Sequence, residues 1–158
     1  MNAGAALRAL VGGWALAACA LEPPPPLPLP VGDEAVFAAA AQPALDRRCA
    51  EPSCHADAAR PLAIYSAGRR RADPARLHLV EPLTAEELGA NARALAALAL
   101  EPLVGGAAID ECLVLCKPLA VAAGGCGHVV GQVFATTDER DYQGLRAYLE
   151  TLILADAP

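Results

Sequence analysis

Apolar residues recur at helical spacing in three parts of the chain, and each recurrence predicts a helix. The first predicted helix spans 33–48, where Phe37, Ala41 and Leu45 share one face at a spacing of four. Pro43 lies inside this segment and lacks a backbone N–H, so we expect it to kink the helix or to break it locally.

The second predicted helix begins with a capping box. Thr84 and Glu87 stand three residues apart, a spacing at which each side chain satisfies a free backbone N–H of the other residue. We expect this helix to run to about Leu100 and to stop at Pro102, because proline disfavours continuation of a helix.

The third predicted helix lies near the C terminus. Tyr142, Leu145 and Leu149 repeat there at spacings of three and four, and Asp138 is the expected N-cap. Two further segments are less specific.

Residues 56–67 are predicted to form a short helix, and the apolar stretch 109–117 fits a helix or a strand. Alanine and leucine dominate the apolar residues and aromatic residues make up only 4% of the chain, which favours helices. The predicted fold is all-α, with roughly four helices and long loops.

The first 18 residues have the pattern of a signal peptide. Arg8 is their only charge, and the apolar stretch after it is too short to span a bilayer as a helix. The stretch ends in Leu-Ala-Ala-Cys19, which resembles the lipobox of bacterial lipoproteins, where the cysteine is lipidated after cleavage. Simple secretion after an Ala-x-Ala cleavage site is the alternative.

Residues 19–32 are rich in proline and predict an extended linker between the lipid anchor and a domain over 33–155. Since Ala20 rather than aspartate follows Cys19, the lipobox resemblance implies a lipoprotein on the periplasmic face, at the outer membrane rather than the inner one. The net charge of −6 argues against nucleic acid as a partner, because phosphate binding needs a basic surface.

The most specific chemical motif is Cys49-Ala-Glu-Pro-Ser-Cys54-His55. In c-type haem attachment, two cysteines form thioethers and the histidine directly after the second cysteine binds the iron. Four residues separate Cys49 from Cys54, where two are usual. The motif predicts one covalently bound haem c, with His55 as an iron ligand.

The residue on the other side of the iron stays open at this point. The only methionine, Met1, is removed with the signal, which excludes methionine ligation in the mature protein. His128 lies in a glycine-rich loop that could approach a flat cofactor, whereas His78 has the apolar neighbours of a half-buried structural histidine. Another donor or an open position would also satisfy the motif.

Three further cysteines follow the motif. A disulfide is expected among Cys112, Cys116 and Cys126, because an exported protein folds in an oxidising compartment. Either Cys112 or Cys116 could pair with Cys126, and one thiol would remain.

These motifs together resemble a group of bacterial periplasmic cytochrome c domains, which includes the planctomycete-type cytochrome c domain and related lipoproteins. The elements that carry the resemblance are Arg48-Cys49, Cys54-His55, Lys117-Pro118-Leu119, Gly124-Gly125-Cys126-Gly127-His128 and Asp141-Tyr142. The resemblance implies a small cytochrome c-like helical fold, His128 as second iron ligand, and single-electron transfer to a redox partner protein rather than enzymatic catalysis.

Two alternatives compete with the haem interpretation. In the first, Cys49 and Cys54 form a disulfide, and the protein is a cofactor-free lipoprotein that acts as a binding or structural module. In the second, cysteines and histidines hold a metal such as zinc. A haem instead requires an apolar cleft facing His55.

The residues expected to line such a cleft are Phe37, Leu45, Leu62, Ile64 and Tyr142. The run Arg69–Arg71, with Arg76, is expected to be a solvated loop or to pair with haem propionates or an acidic partner.

Overall fold

A computed structural model describes residues 32–104 and 106–152. The predicted signal peptide, Cys19 and nearly all of the Pro-rich linker lie outside these residues, as do residues 153–155 of the predicted domain. In the described part of the chain no helix is long and apolar enough to cross a membrane.

The first predicted helix is present and is continuous, but its hydrogen-bonding pattern changes along its length. It comprises α1 (Glu34–Val36), a π-helical turn (Phe37–Ala41) and α2 (Gln42–Arg48). Pro43 has no N–H to donate, and in a regular α-helix its ring would press on the carbonyl four residues earlier. The wider π turn directly before α2 accommodates the proline, so the helix does not break.

Three more α-helices follow: α3 (Ala85–Val104), α4 (Leu113–Cys116) and α5 (Arg140–Glu150). Single 3₁₀ turns occur at Pro74–Arg76, Ile109–Glu111 and Val121–Ala123. Over 32–104 and 106–152 there is no strand, only two isolated bridges that pair Ser66 with Arg70 and Leu119 with Phe134. The prediction of an all-α chain is therefore confirmed.

The capping box at the start of α3 is confirmed. The Thr84 N–H donates to Glu87 Oε2 at 2.9 Å, and the Glu87 N–H donates to Thr84 Oγ1 at 3.2 Å. The predicted end of this helix was too early, because α3 continues past Pro102 to Val104.

Two other predictions about helices were also wrong. Residues 56–67 form turns and irregular backbone rather than a helix. The last helix begins after Glu139, which makes no side-chain cap bond, and not after Asp138.

The core is formed where α5 crosses the first helix. Phe37 and Tyr148 meet edge to face with ring centroids 4.9 Å apart. Gly144 permits this close approach, since a Cβ built there would lie 2.8 Å from the backbone oxygen of Ala40. The resulting helix pair presents the C-terminal end of α2, with Cys49 directly after it, toward α4 and the loop beyond it.

Candidate cofactor site

A cavity of about 350 Å³ opens between the segment after α2, the α4 region and the glycine-rich loop. Its volume lies within the range of small-molecule sites, about 300–1,000 Å³. Its wall is mainly apolar. The residues that line it are Leu45, Arg48, Cys49, Ser53, Cys54, His55, Arg60, Pro61, Leu62, Leu98, Leu113, Val114, Lys117, Pro118, His128, Val129, Val130, Val133 and Leu145.

His55 is held in a defined orientation at this wall. The Cys49 carbonyl accepts from the His55 backbone N–H at 3.2 Å, which closes the turn between the two cysteines. The His55 ring Nδ1 lies 2.8 Å from the Leu62 carbonyl oxygen. A carbonyl can only accept, so Nδ1 must carry the proton and Nε2 keeps a free lone pair. This is the arrangement that a metal-binding histidine needs.

His128 faces His55 across the cavity. The two ring centroids are 6.1 Å apart, with 50° between the ring planes. The Nδ1 atom of His128 is buried and has no hydrogen-bond partner among the described residues. Burial lowers the pKa of His128 below its usual value, and the positive fields of His55 and Lys117 lower it further. The ring is therefore favoured in its neutral form, which is the form that binds a metal.

The separation of the two rings matches the space that one metal ion would need between them. A metal–imidazole bond is about 2 Å long and the ring centroid lies roughly 1 Å beyond the bonded nitrogen, so opposed imidazoles on one ion have centroids about 6 Å apart. The resemblance implied that both histidines bind one iron, and the fold brings their rings together across 73 positions of chain.

Both motif cysteines lie on the same wall. Cys49 directly follows α2 and Cys54 precedes His55, and within the described residues neither sulfur is bonded to another cysteine. Burial, together with the charge of Cys54, raises the pKa of the Cys49 thiol to about 12, so Cys49 is protonated at neutral pH. In the described structure Cys49 and Cys54 are therefore two separate thiols beside an apolar cavity and not the disulfide of the stapled-loop alternative.

Three cations line the cavity, namely Arg48, Arg60 and Lys117, and no carboxylate is among the lining residues. Arg48 is held by Glu139 at 2.6 Å and by Asp141 at 3.0 Å. Arg60 lies 3.9 Å from Asp57, so two of the three cations at the cavity already face carboxylates outside it.

The expectation for the arginine run was wrong in detail. Arg71 is not solvated, because its side chain is fully buried in an ion pair with Glu87 at 2.9 Å. Arg69 pairs with Glu51 at 2.8 Å, and Arg70 stacks on the Tyr65 ring. None of the three residues lines the cavity. Their positions follow from contacts between distant segments, for which the sequence carries no local signal.

The expected apolar lining was right for two residues and wrong for three. Leu45 and Leu62 face the cavity, whereas Phe37, Ile64 and Tyr142 are fully buried in the core behind it. His78 is exposed and lies outside the cavity, contrary to the expectation that it is half-buried.

Among the late cysteines, Cys116 and Cys126 lie at disulfide distance, with their Cα atoms 5.3 Å apart. Cys112 is fully buried and unbonded in the described structure. The sequence left two pairings open, Cys112 with Cys126 and Cys116 with Cys126. The structure selects the second.

The zinc alternative finds no support in the geometry. In the described ranges no three His, Cys, Asp or Glu side chains converge as a metal site would need. Haem requires only two protein ligands, so it is compatible with this finding. A second hollow of about 440 Å³ is an open surface feature bounded by Arg47, Arg48, Glu139, Arg140 and Asp141, whose charges largely neutralise one another.

No protein-family model, no curated protein and no solved structure matches this chain.

Proposed function

We propose that this protein is a c-type electron carrier with one haem, which Cys49 and Cys54 would attach and His55 and His128 would bind. The observation that supports it most is the pair of facing imidazoles, 6.1 Å apart, in an apolar cavity whose wall carries both unbonded motif thiols. Histidine pairs also occur in protein cores, but a core pair would not leave a buried ring nitrogen unpartnered.

The residues of the cavity fit the cofactor by their chemistry. Cys49 and Cys54 supply the two sulfurs for thioether attachment, and the adjacent His55 presents Nε2 because its Nδ1 donates to the Leu62 carbonyl. His128, favoured in its neutral form and with its Nδ1 atom unpartnered among the described residues, would be the second histidine to hold the haem. When bound, the haem supplies a one-electron couple whose potential the protein adjusts through its ligands and the polarity of the pocket.

The surrounding side chains exclude water and balance charge. The cavity has an apolar wall, formed in part by Leu45, Leu98 and Leu145. Because an apolar wall solvates charge poorly, it would favour the oxidation state in which the haem carries the smaller net charge. Lys117 and Arg60, which line the cavity, would pair with the two propionates of the cofactor. A haem that both His55 and His128 bind would transfer electrons without binding a substrate, so we propose an electron carrier and not an enzyme.

The location of the carrier is proposed from the sequence alone. A lipid on Cys19 and the Pro-rich linker 19–32 would hold the domain off the periplasmic face of a membrane, in contact with a redox partner protein. A Cys19→Ser variant should leave the membrane fraction and appear in the soluble fraction. A variant that stays with the membrane would contradict lipid anchoring.

The test of the cofactor is chemical. The chain is expressed with its own signal in a host that carries the cytochrome c maturation machinery, and a pyridine haemochrome spectrum is recorded after acid-acetone extraction. A c-type band that survives extraction is expected for the wild type, because thioethers resist this treatment.

The variant Cys49→Ser/Cys54→Ser should lose this band. Cys112→Ala is the matched control, because Cys112 is an unbonded cysteine outside the cavity and its variant should keep the band. A colourless wild-type protein, or a band that survives in the double serine variant, would overturn the proposal.

A further inference from the structure

The segment that carries His128 has few attachments to the rest of the molecule. For residues 127–132, the only backbone hydrogen bond in the described structure is internal, from the Gly131 N–H to the His128 carbonyl at 3.0 Å. Val129 is fully exposed and Val130 is 67% exposed, so little apolar contact holds the segment. Gly127 and Gly131 flank it with φ of 88° and 92°, a backbone conformation that suits glycine.

Residues at both ends of this segment are bonded to the short stretch 116–118 at the end of α4. On the C-terminal side, the Val133 N–H donates to the Pro118 carbonyl at 2.8 Å. On the N-terminal side, the Cys126 N–H donates to the Cys116 carbonyl at 3.0 Å, and the Cys116–Cys126 disulfide adds the one covalent link. This link lies two residues before His128.

The disulfide is accessible to a reductant. Cys126 is exposed and Cys116 is half-buried, in contrast to the fully buried Cys112. Exposed disulfides are the ones that thiol exchange reaches and that tend to be labile or regulatory.

We propose that the Cys116–Cys126 disulfide is a thiol-operated switch that decides whether His128 occupies the position opposite His55. The inference rests on the proposed function and extends it to regulation. With the disulfide intact, His128 is held facing His55 and the iron is closed to other ligands. When an external dithiol reduces it, the S–S bond takes up two electrons and two protons to give two thiols, and the dithiol becomes a disulfide.

The reduced protein loses the covalent link to the His128 segment. On that side it keeps two backbone hydrogen bonds, from the Cys126 N–H to the Cys116 carbonyl and from the Gly125 N–H to the Ala120 carbonyl, both at 3.0 Å. His128 then leaves the cavity, because the hydrogen bond of its ring is to the backbone of Gly131, which belongs to the same segment and moves with it. The position opposite His55 becomes open to a small neutral ligand such as carbon monoxide. Reduction thus converts an electron carrier into a ligand-binding haem protein.

The experiment uses the full haem-loaded chain in its ferrous form, so that reduction of the iron by the dithiol does not confuse the result. Optical spectra and carbon monoxide binding are recorded before and after titration with a dithiol, and circular dichroism follows the helices in the same sample. The expected result is a low-spin spectrum with negligible carbon monoxide binding at first, then a high-spin spectrum that binds it stoichiometrically.

Two variants serve as controls for this titration. The double variant Cys116→Ser/Cys126→Ser should give a high-spin spectrum and bind carbon monoxide without any dithiol, and added dithiol should not change its spectrum. Cys112→Ala keeps the disulfide and should behave as the wild type does. If the double variant does not fold, the titration of the folded wild type decides alone.

The outcomes separate this inference from the function on which it rests. A protein without covalent haem overturns both. A protein with covalent haem that stays low-spin after its disulfide is reduced, or that is high-spin from the start, overturns the switch and leaves haem attachment intact.

Discussion

Two polar regions of this small domain differ in how completely their buried polar groups are hydrogen-bonded. Around the start of α3, the Arg71 guanidinium donates to Glu87 at 3.0 and 2.9 Å and to the backbone oxygens of Glu81 and Pro82, while Glu87 also accepts from Thr84 and Ala72. At the cavity, by contrast, the His128 Nδ1 atom is buried without a partner among the described residues, and the thiols of Cys49 and Cys54 line the wall without a disulfide.

A second cluster behaves as the first does. The Asn91 side chain is fully buried, donates to Gln42 Oε1 and to the Tyr65 carbonyl at 2.8 Å each, and accepts from the Tyr65 N–H at 2.8 Å. Because an unpaired buried polar group is costly, a fold retains one only where something else compensates it. Satisfied buried groups therefore stabilise the fold, whereas the two buried side-chain atoms without a partner among the described residues, His128 Nδ1 and Arg146 Nε, do not.

The largest effect is expected at the unsatisfied region. His128→Ala should convert a low-spin haem spectrum to a high-spin one that binds carbon monoxide, because the ligand opposite His55 is removed. His78→Ala is the matched control, since His78 is exposed and outside the cavity, and its spectrum should not change. An unchanged spectrum in His128→Ala would show that the facing rings have no ligand role.

The next effect is expected at the satisfied region. Glu87→Gln leaves the buried Arg71 charge unpaired and should lower the free energy of unfolding by about 3–5 kcal/mol. Glu81→Gln removes the exposed pair with Arg76 instead and should cost less than about 1 kcal/mol. Urea denaturation followed by circular dichroism measures both. Equal losses in the two variants would contradict the distinction between the buried and the surface pair.

A smaller loss is expected when a hydrogen-bonding side chain is removed from the second cluster. Asn91→Ala should lower the free energy of unfolding by about 1–3 kcal/mol, because the backbone groups of Tyr65 lose their partners inside the protein. The haem spectrum should stay as in the wild type, since Asn91 does not line the cavity. A spectral change would mean that the two regions are coupled.

The most gradual effect is the pH dependence of stability. Burial alone would raise the pKa of Glu87, but the hydrogen bonds from Arg71 and from the backbone N–H groups of Thr84 and Ala72 outweigh it and lower the pKa to about 2 from 4.5. A depressed pKa in the folded state means that this stabilisation is present above about pH 4.5 and is lost as the pH falls toward 2.

The measurement is a series of urea denaturations between neutral pH and pH 2 on the wild type and on Glu87→Gln. The difference in unfolding free energy between the two should narrow as the pH falls below about 4.5, because protonation of Glu87 imitates the variant. A difference that stays constant down to pH 2 would rule out Glu87 as the titrating group.

Local signals in the sequence were sufficient for the parts of the fold that depend on neighbouring residues. The Thr84–Glu87 capping box and the helices around Leu45 and Leu145 were predicted, because caps and apolar periodicity act over a few positions. The end of α3 and the course of 56–67 were not predicted, since tertiary contacts outweigh weak local preferences there.

For the site, the sequence by itself determined the chemistry: two cysteines, the histidine that follows them and a further histidine in a glycine-rich loop. Only the tertiary structure decided that His55 and His128 face each other, that Cys116 rather than Cys112 pairs with Cys126, and that Arg71 is buried while Lys117 and Arg60 line the cavity. The physical reason is the distance along the chain over which each feature acts. A motif consists of neighbouring residues, whereas facing rings, burial and cysteine pairing depend on how distant segments pack.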